Sequence, residues 1–124
     1  MPLVNPEQLL SIKLAEKTVE VSELGGELLL REMDVATRGM YERSLRDLGM
    51  VDGATVDKDK WSEFYPALVV AFAIVGDDGR RLYASTDGVR QLSGLPSRVI
   101  EPLFQAADAL SGASPTALAA AKKN

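Results

Sequence analysis

The stretch ALVVAFAIV at residues 67–75 carries no polar side-chain atom, and its conformation decides how the rest of the chain can pack. Periodicity is silent where every position is apolar, so length and flanks have to settle the reading. Val69, Val70, Ile74 and Val75 are β-branched and suit a central strand. Joined to the preceding WSEFYP, however, the run spans residues 61–75, which is long for a strand. Pro66 is tolerated best in the first turn of a helix. The run is therefore read as a buried helix beginning near Trp61, with a central strand as the alternative. ALVVAFAIV itself has about half the roughly 20 residues that a membrane-spanning helix needs, so protein must bury it.

Downstream, GDDG at residues 76–79 reads as a tight turn and RRLYAS as a short extended segment. Thr86 and Asp87 can start a short helix that stops at Gly94. Pro96 opens another, in which Leu95, Val99, Leu103, Ala106, Ala107 and Leu110 share one face, Pro102 should introduce a kink, and Gly112 ends the pattern. ASPTALAAAKKN at residues 113–124 has no face to bury and is expected to be a flexible tail.

Upstream, GMVDGATVDKDK at residues 49–60 has no sustained period and reads as a mobile loop. Before it, Met33, Thr37, Met40, Tyr41, Ser44, Leu45 and Leu48 recur three or four apart, predicting an amphipathic helix capped by Asp34 and ended by Gly49. The alternation of Val19 and Val21, and of Leu28 and Leu30, around Gly25 and Gly26 predicts a β-hairpin. Asn5, Pro6 and Gln8 look like a cap, a first helical residue and a capping-box partner for a short helix reaching about Glu16. The fold class is thus α+β, mainly α: an N-terminal β-hairpin packed with a small bundle of amphipathic helices, in one domain over residues 1–112.

Composition restricts the chemistry. The 124 residues include no His and no Cys, which removes thiolate nucleophiles, Ser-His-Asp relays and the commonest zinc ligands. Without cysteine no disulfide braces the fold, which suits a cytoplasmic protein. A net charge of -4 argues against a phosphate-binding surface, and Arg80 and Arg81 read as a solvated strand end. MPLVNPEQ lacks a charged segment leading into an apolar one, so no secretory signal is expected.

The acidic loop does not make a calcium site: Trp61 stands where an oxygen ligand belongs, Ser62 where the turn glycine belongs, and Leu68 where a glutamate belongs. Phosphate-binding loops and nucleophile elbows are missing from the sequence. Asp77 and Asp78 form an adjacent carboxylate pair, but in a turn, where Asp bonds the local backbone. No catalytic residue, cofactor or metal is expected, and the chain is read as a non-enzyme. What remains is burial and binding. Trp61, Phe64, Tyr65, Phe72, Tyr83 and Phe104 are six of its seven aromatics, and they concentrate in the second half of the chain around the apolar run.

The order of elements resembles a known family. TVEVSELGGELLLREMDVATRGMYERSL, an acidic hairpin running into a charged amphipathic helix, is followed by LVVAFAIVGDDGRRLYASTDGVRQLSGLPSRVIEPLFQAADALSG. Together they are similar to the tail assembly chaperones of long-tailed bacteriophages and prophages, over roughly residues 17–112. The most specific portion is the apolar run, then V-x-D-D-G, a basic-aromatic strand, an S/T-D helix start and a terminal helix ending L-S-G. The loop at residues 49–60 departs from the likeness.

The resemblance implies a non-catalytic factor that coats the tape measure protein while the tail tube polymerises, acts in the bacterial host cytoplasm and is absent from the mature virion. It further implies self-association, a longer form of the same chain made by programmed frameshifting, and contact with the tail tube protein. The ending AAAKKN is compatible with a frameshift site, since Lys-Lys-Asn can be encoded by a run of A. Neither nucleic acid nor membrane is expected as a partner. The alternative is a structural subunit of the phage tail or head-tail connector. Holding a long helical partner calls for an apolar groove with a polar rim. Trp61, Phe64, Tyr65, Leu68 and Phe104 are the candidate partner-binding residues.

Overall fold

The computed structural model describes residues 2–110. The expected tail at residues 113–124 and the helix stop at Gly112 lie outside the described residues. The order of elements is β1 (Glu16–Val21), β2 (Gly26–Arg31), α1 (Val35–Asp47), β3 (Val51–Asp52), β4 (Thr55–Val56), α2 (Lys58–Ala71), β5 (Ile74–Val75), α3 (Thr86–Ser93) and α4 (Ser97–Leu110). Helix outweighs strand, 53% to 17%, so the fold is α+β and mainly α.

The apolar run is mostly the buried helix its sequence suggested, and it ends in a two-residue edge strand where the alternative was a central one. α2 carries it from Ala67 to Ala71 and closes at Phe72, where the Ala73 N–H tightens the last turn by bonding the Val70 carbonyl at 3.0 Å. Ile74 and Val75 then extend as β5 and pair antiparallel with Leu30 and Leu29. All nine residues are buried. The β-branched pair sits where the chain leaves the helix, so propensity and topology agree there.

α2 also starts earlier than Trp61. Asp57 caps it, accepting from the N–H groups of Asp59 and Lys60, both at 3.0 Å, so Pro66 lies well beyond the first turn. The bond that Pro66 cannot donate would have gone to the carbonyl of Ser62, an exposed residue where water can take it. Pro102 behaves similarly: α4 runs as one helix through it, from Ser97 to Leu110.

The segment expected as a loop is structured. β3 and β4 pair as a short hairpin with Gly53 at φ 59, and Met50 at its base is fully buried. The apolar residues that close it, Val51 opposite Val56 and Met50 beneath, are too few to show a period in the sequence.

Elsewhere the local signals hold. β1 and β2 pair along six residues, and the turn between them is a 3-10 segment, Ser22–Leu24, closed by Gly25 at φ 67. Asp34 accepts the Thr37 N–H at 2.7 Å to cap α1, and Gly49 leaves its end at φ 75. The buried line of α1 is Thr37, Tyr41, Ser44 and Leu48, whereas Met40, counted on that face from the spacing, is exposed. Ser44 Oγ meets Thr86 Oγ1 at 3.1 Å at the start of α3, which satisfies a buried hydroxyl. Ser85, one residue before the expected start, caps α3 by accepting the Gly88 N–H at 3.0 Å. The N-terminal helix is shorter than expected. It is a 3-10 segment, Pro6–Ser11, with Asn5 Oδ1 accepting from the Glu7 N–H, and none of its residues is buried. A single turn or two without a packed face cannot propagate, and β1 takes the chain from Glu16 onward.

The sheet has the order β1-β2-β5, α2 packs on α3 and α4, and α4 packs on the hairpin. One core joins them, with Phe72, Leu30, Met50, Leu68, Val70 and Val89 fully enclosed. Arg81 staples the layers and is not the solvated strand end its sequence suggested. Its guanidinium donates to the carbonyls of Phe72 at 2.7 Å, Glu32 at 2.6 Å and Arg31 at 3.2 Å, and this desolvation lowers its pKa. Arg80 next to it is exposed, as expected.

Candidate functional site: an apolar groove beside the open edge of the sheet

Three of the expected partner-binding residues do come together. The rings of Trp61 and Tyr65 stack at 4.7 Å and 17°, one helical turn apart on α2, and Tyr65 meets Phe104 of α4 edge-on at 5.7 Å. All three are half-buried against the core. Trp61 and Tyr65 line a small cleft of about 190 Å³ with Arg38, Tyr41 and Asp108. Tyr41 and Tyr65 both have raised pKa values, chiefly because burial disfavours the phenolate. Phe64 stands apart from that cluster, half-buried, with the Lys60 ammonium 6.0 Å from its ring centre. Leu68 must be withdrawn from the candidates: it is fully buried, because it faces the core one turn beyond Phe64.

None of these residues lines the largest concavity among those described. That concavity is a groove of about 710 Å³ between the hairpin and the α3-α4 corner. Its origin is topological. β2 pairs with β1 along its whole length but with β5 only at Leu29 and Leu30, since β5 is two residues long. Toward the hairpin turn β2 therefore has an open edge. By the alternation of strand backbone, the N–H and C=O of Glu27 point to the same side as those of Leu29, into the groove.

The walls follow from this gap. Val21, Leu24 and Leu28 come from the hairpin, Ile74 and Val75 from β5, Leu92 from α3, and Val99, Ile100 and Leu103 from α4. Leu24, Leu82 and Leu95 form the rim and are exposed by 78%, 61% and 45%. Glu27, Asp77 and Thr18 add polar groups around it. At the hairpin tip Arg98 of α4 clasps Glu23, Nε to Oε1 at 2.9 Å and Nη2 to Oε2 at 3.3 Å, an exposed ion pair that links the two walls.

The rim leucines were legible in one respect. Each lies at a break between elements, Leu24 before a turn glycine, Leu82 in the segment after GDDG and Leu95 after Gly94, where polar residues are the norm. What no sequence pattern shows is that the three breaks meet. Chemically the groove offers apolar surface and a strand edge, the means of holding a peptide or a helix face. Among the described residues no group of three or more carboxylates could hold a metal ion, and no helix is long and apolar enough to cross a membrane.

Compared with protein-family models, curated proteins and solved structures, the chain matches none.

Proposed function

We propose that the protein is a non-catalytic phage tail assembly chaperone that binds the tape measure protein and keeps it soluble in the bacterial host cytoplasm until the tail tube has formed around it. The observation that carries this reading is the apolar groove with leucines on its rim and Glu27 and Asp77 beside them. A helical tape measure exposes apolar stripes until the tube encloses it. A groove of this size accepts one such stripe through many dispersive contacts, with little directional bonding and therefore little demand on partner sequence. The order of hairpin, charged helix, apolar run and terminal helix, on which the family resemblance rests, supports the same reading. The net charge of -4 adds solubility to free copies and disfavours nonspecific contact with nucleic acid.

The test is a pull-down of the tape measure protein by the tagged chain and by its Leu82→Asp variant, with a mass-spectrometric search for the chain in purified particles. Capture by the parent chain, its loss in Leu82→Asp, and absence from mature virions are the expected results. Stable incorporation into the virion overturns the reading in favour of a structural subunit of the tail or connector.

A further inference from the structure

Eleven large apolar residues stand exposed among those described, and eight of them belong to two places. Leu24, Leu82 and Leu95 form the groove rim; Leu3, Val4, Leu9, Leu10 and Ile12 lie on the segment of residues 2–12 that precedes the sheet. That segment has its own local order. Asn5 caps the 3-10 turn Pro6–Ser11, and the Ile12 N–H closes onto the Leu9 carbonyl at 3.3 Å, yet Leu3 is exposed by 100% and Leu10 by 92%. One chain thus presents an unpartnered apolar arm and an unpartnered apolar groove.

We infer that the arm of one copy seats in the groove of a second copy, so that the free protein covers its own binding surface by self-assembly. The attachment of the arm favours a second copy over its own groove. Ala15 is held against the far end of β2, its N–H on Glu32 Oε1 at 2.8 Å and its carbonyl accepting from the Glu32 N–H at 2.9 Å. The arm therefore leaves from β1, one edge of the sheet, at the end away from the hairpin turn. The groove opens on the other edge of β2 and toward the turn. To return to its own groove the arm must reverse within a few residues and cross the sheet; the arm of a neighbour meets no such obstacle. Its main chain can add to the open edge at Glu27 while its leucines fill the apolar walls. The arm and the groove are different patches, so the contact is heterologous and propagates into rings or filaments instead of stopping at a two-fold dimer. This rests on the groove being a docking surface, as proposed above, and makes the tape measure a competitor of the arm.

The native chain has no cysteine, so introduced pairs report cleanly. Full chains carrying Leu10→Cys are mixed with full chains carrying Leu95→Cys and oxidised, with Val35→Cys, exposed on α1 outside the groove, as the control partner. The expected product is a disulfide between the two preparations that the control pair does not form. In light scattering, deletion of residues 2–12 shifts the protein from oligomer to monomer, and since none of those residues is buried the folded body is untouched. Mixing that deletion, which keeps its groove, with a Leu82→Asp, Leu95→Asp chain, which keeps its arm, yields a one-to-one heterodimer and nothing larger, while each chain alone stays monomeric. Mixing it with parent chains caps them and lowers their mean mass.

A parent chain that is monomeric at all concentrations overturns the inference, as does assembly that survives loss of the arm, or a Leu10→Cys, Leu95→Cys double variant that closes within one chain. Tape measure capture separates the two proposals. Cross-linking without capture sinks the proposed function and leaves the arm exchange. Capture by a deletion variant whose parent never assembles does the reverse.

Discussion

Residues 67–75 and residues 2–12 are both rich in large apolar side chains, and they meet opposite fates. Every residue of the first run is buried, while the second stands in solvent from end to end. Hydropathy separates them only in part: Asn5, Glu7, Gln8 and Ser11 interrupt the second and nothing interrupts the first, but that does not account for the exposure of Leu9, Leu10 and Ile12. The first is long enough to complete α2 and hand the chain to β5 between two layers, whereas the second is cut into a 3-10 turn by Asn5 and Pro6 before β1 begins. An apolar segment is buried when neighbouring elements enclose it on several sides; without them its apolar surface is available to another chain.

The largest effects belong to the enclosed side of this contrast. Phe72→Asp places a charge in a fully buried position at the junction of α2 and β5, against the edge of Tyr41 at 5.7 Å. It should cost about 5 kcal/mol or more and unfold the domain, visible as loss of the far-ultraviolet circular dichroism signal. Phe64→Asp on the half-buried flank of the same helix should keep the fold. Equal loss of signal in the two variants would place the boundary of the core wrongly.

Gly88→Ala comes next. A Cβ at this buried glycine of α3 runs into the backbone carbonyl of Tyr83, which has no side-chain freedom to move aside. A loss of about 3 kcal/mol is expected, read as a lower urea midpoint at unchanged slope. Arg81→Ala removes the three carbonyl contacts that join the end of β2 to the end of α2. It should cost about 2 kcal/mol in the same assay.

The pH dependence tests the aromatic cleft. Burial raises the pKa of Tyr41, and the same cause raises that of Tyr65. A raised acid holds its proton in the folded state after the unfolded state has lost it. Stability is therefore complete below the unfolded tyrosine value of about 10 and falls as the pH climbs past it. Chemical denaturation at several alkaline pH values should show this decline, and Tyr41→Phe should flatten it. The smallest stability change is expected for Leu10→Asp on the exposed arm, within about 0.5 kcal/mol of the parent. Its effect should appear instead in light scattering, as loss of assembly, and a large drop in urea midpoint would show that the arm is packed after all.

Much of this architecture can be read from local chemistry. Asp34, Gly49 and Gly94 mark helix ends, Gly25 marks a hairpin, and the Thr37, Tyr41, Ser44 and Leu48 spacing marks the inner face of α1, because caps and periods act within a few residues. Reading fails where burial comes from afar. Leu68 shares a face of α2 with Trp61 and Tyr65, at i, i+4 and i+7, yet it is buried because residues 67–71 at that end of the helix are enclosed on every side, while the two rings lie nearer its exposed start. Residues 49–60 showed no period because β3 and β4 are two residues each, too short to display one.

The groove was legible as a need and not as a place. The expectation of an apolar groove with a polar rim comes from the helical partner that the family resemblance implies, and the candidate residues named for it lie in another part of the molecule. Composition, caps and periodicity thus suffice for the class of fold, the hairpin, α1, α3, α4 and the presence of a buried run, since each depends on neighbours within about a turn. The division of that run between α2 and β5, the burial of Leu68, the capture of three carbonyls by Arg81 and the meeting of Leu24, Leu82 and Leu95 all depend on residues dozens of positions apart. Such encounters follow from how short β5 is and where it pairs, and a strand pairing is a property of two segments that neither one encodes alone.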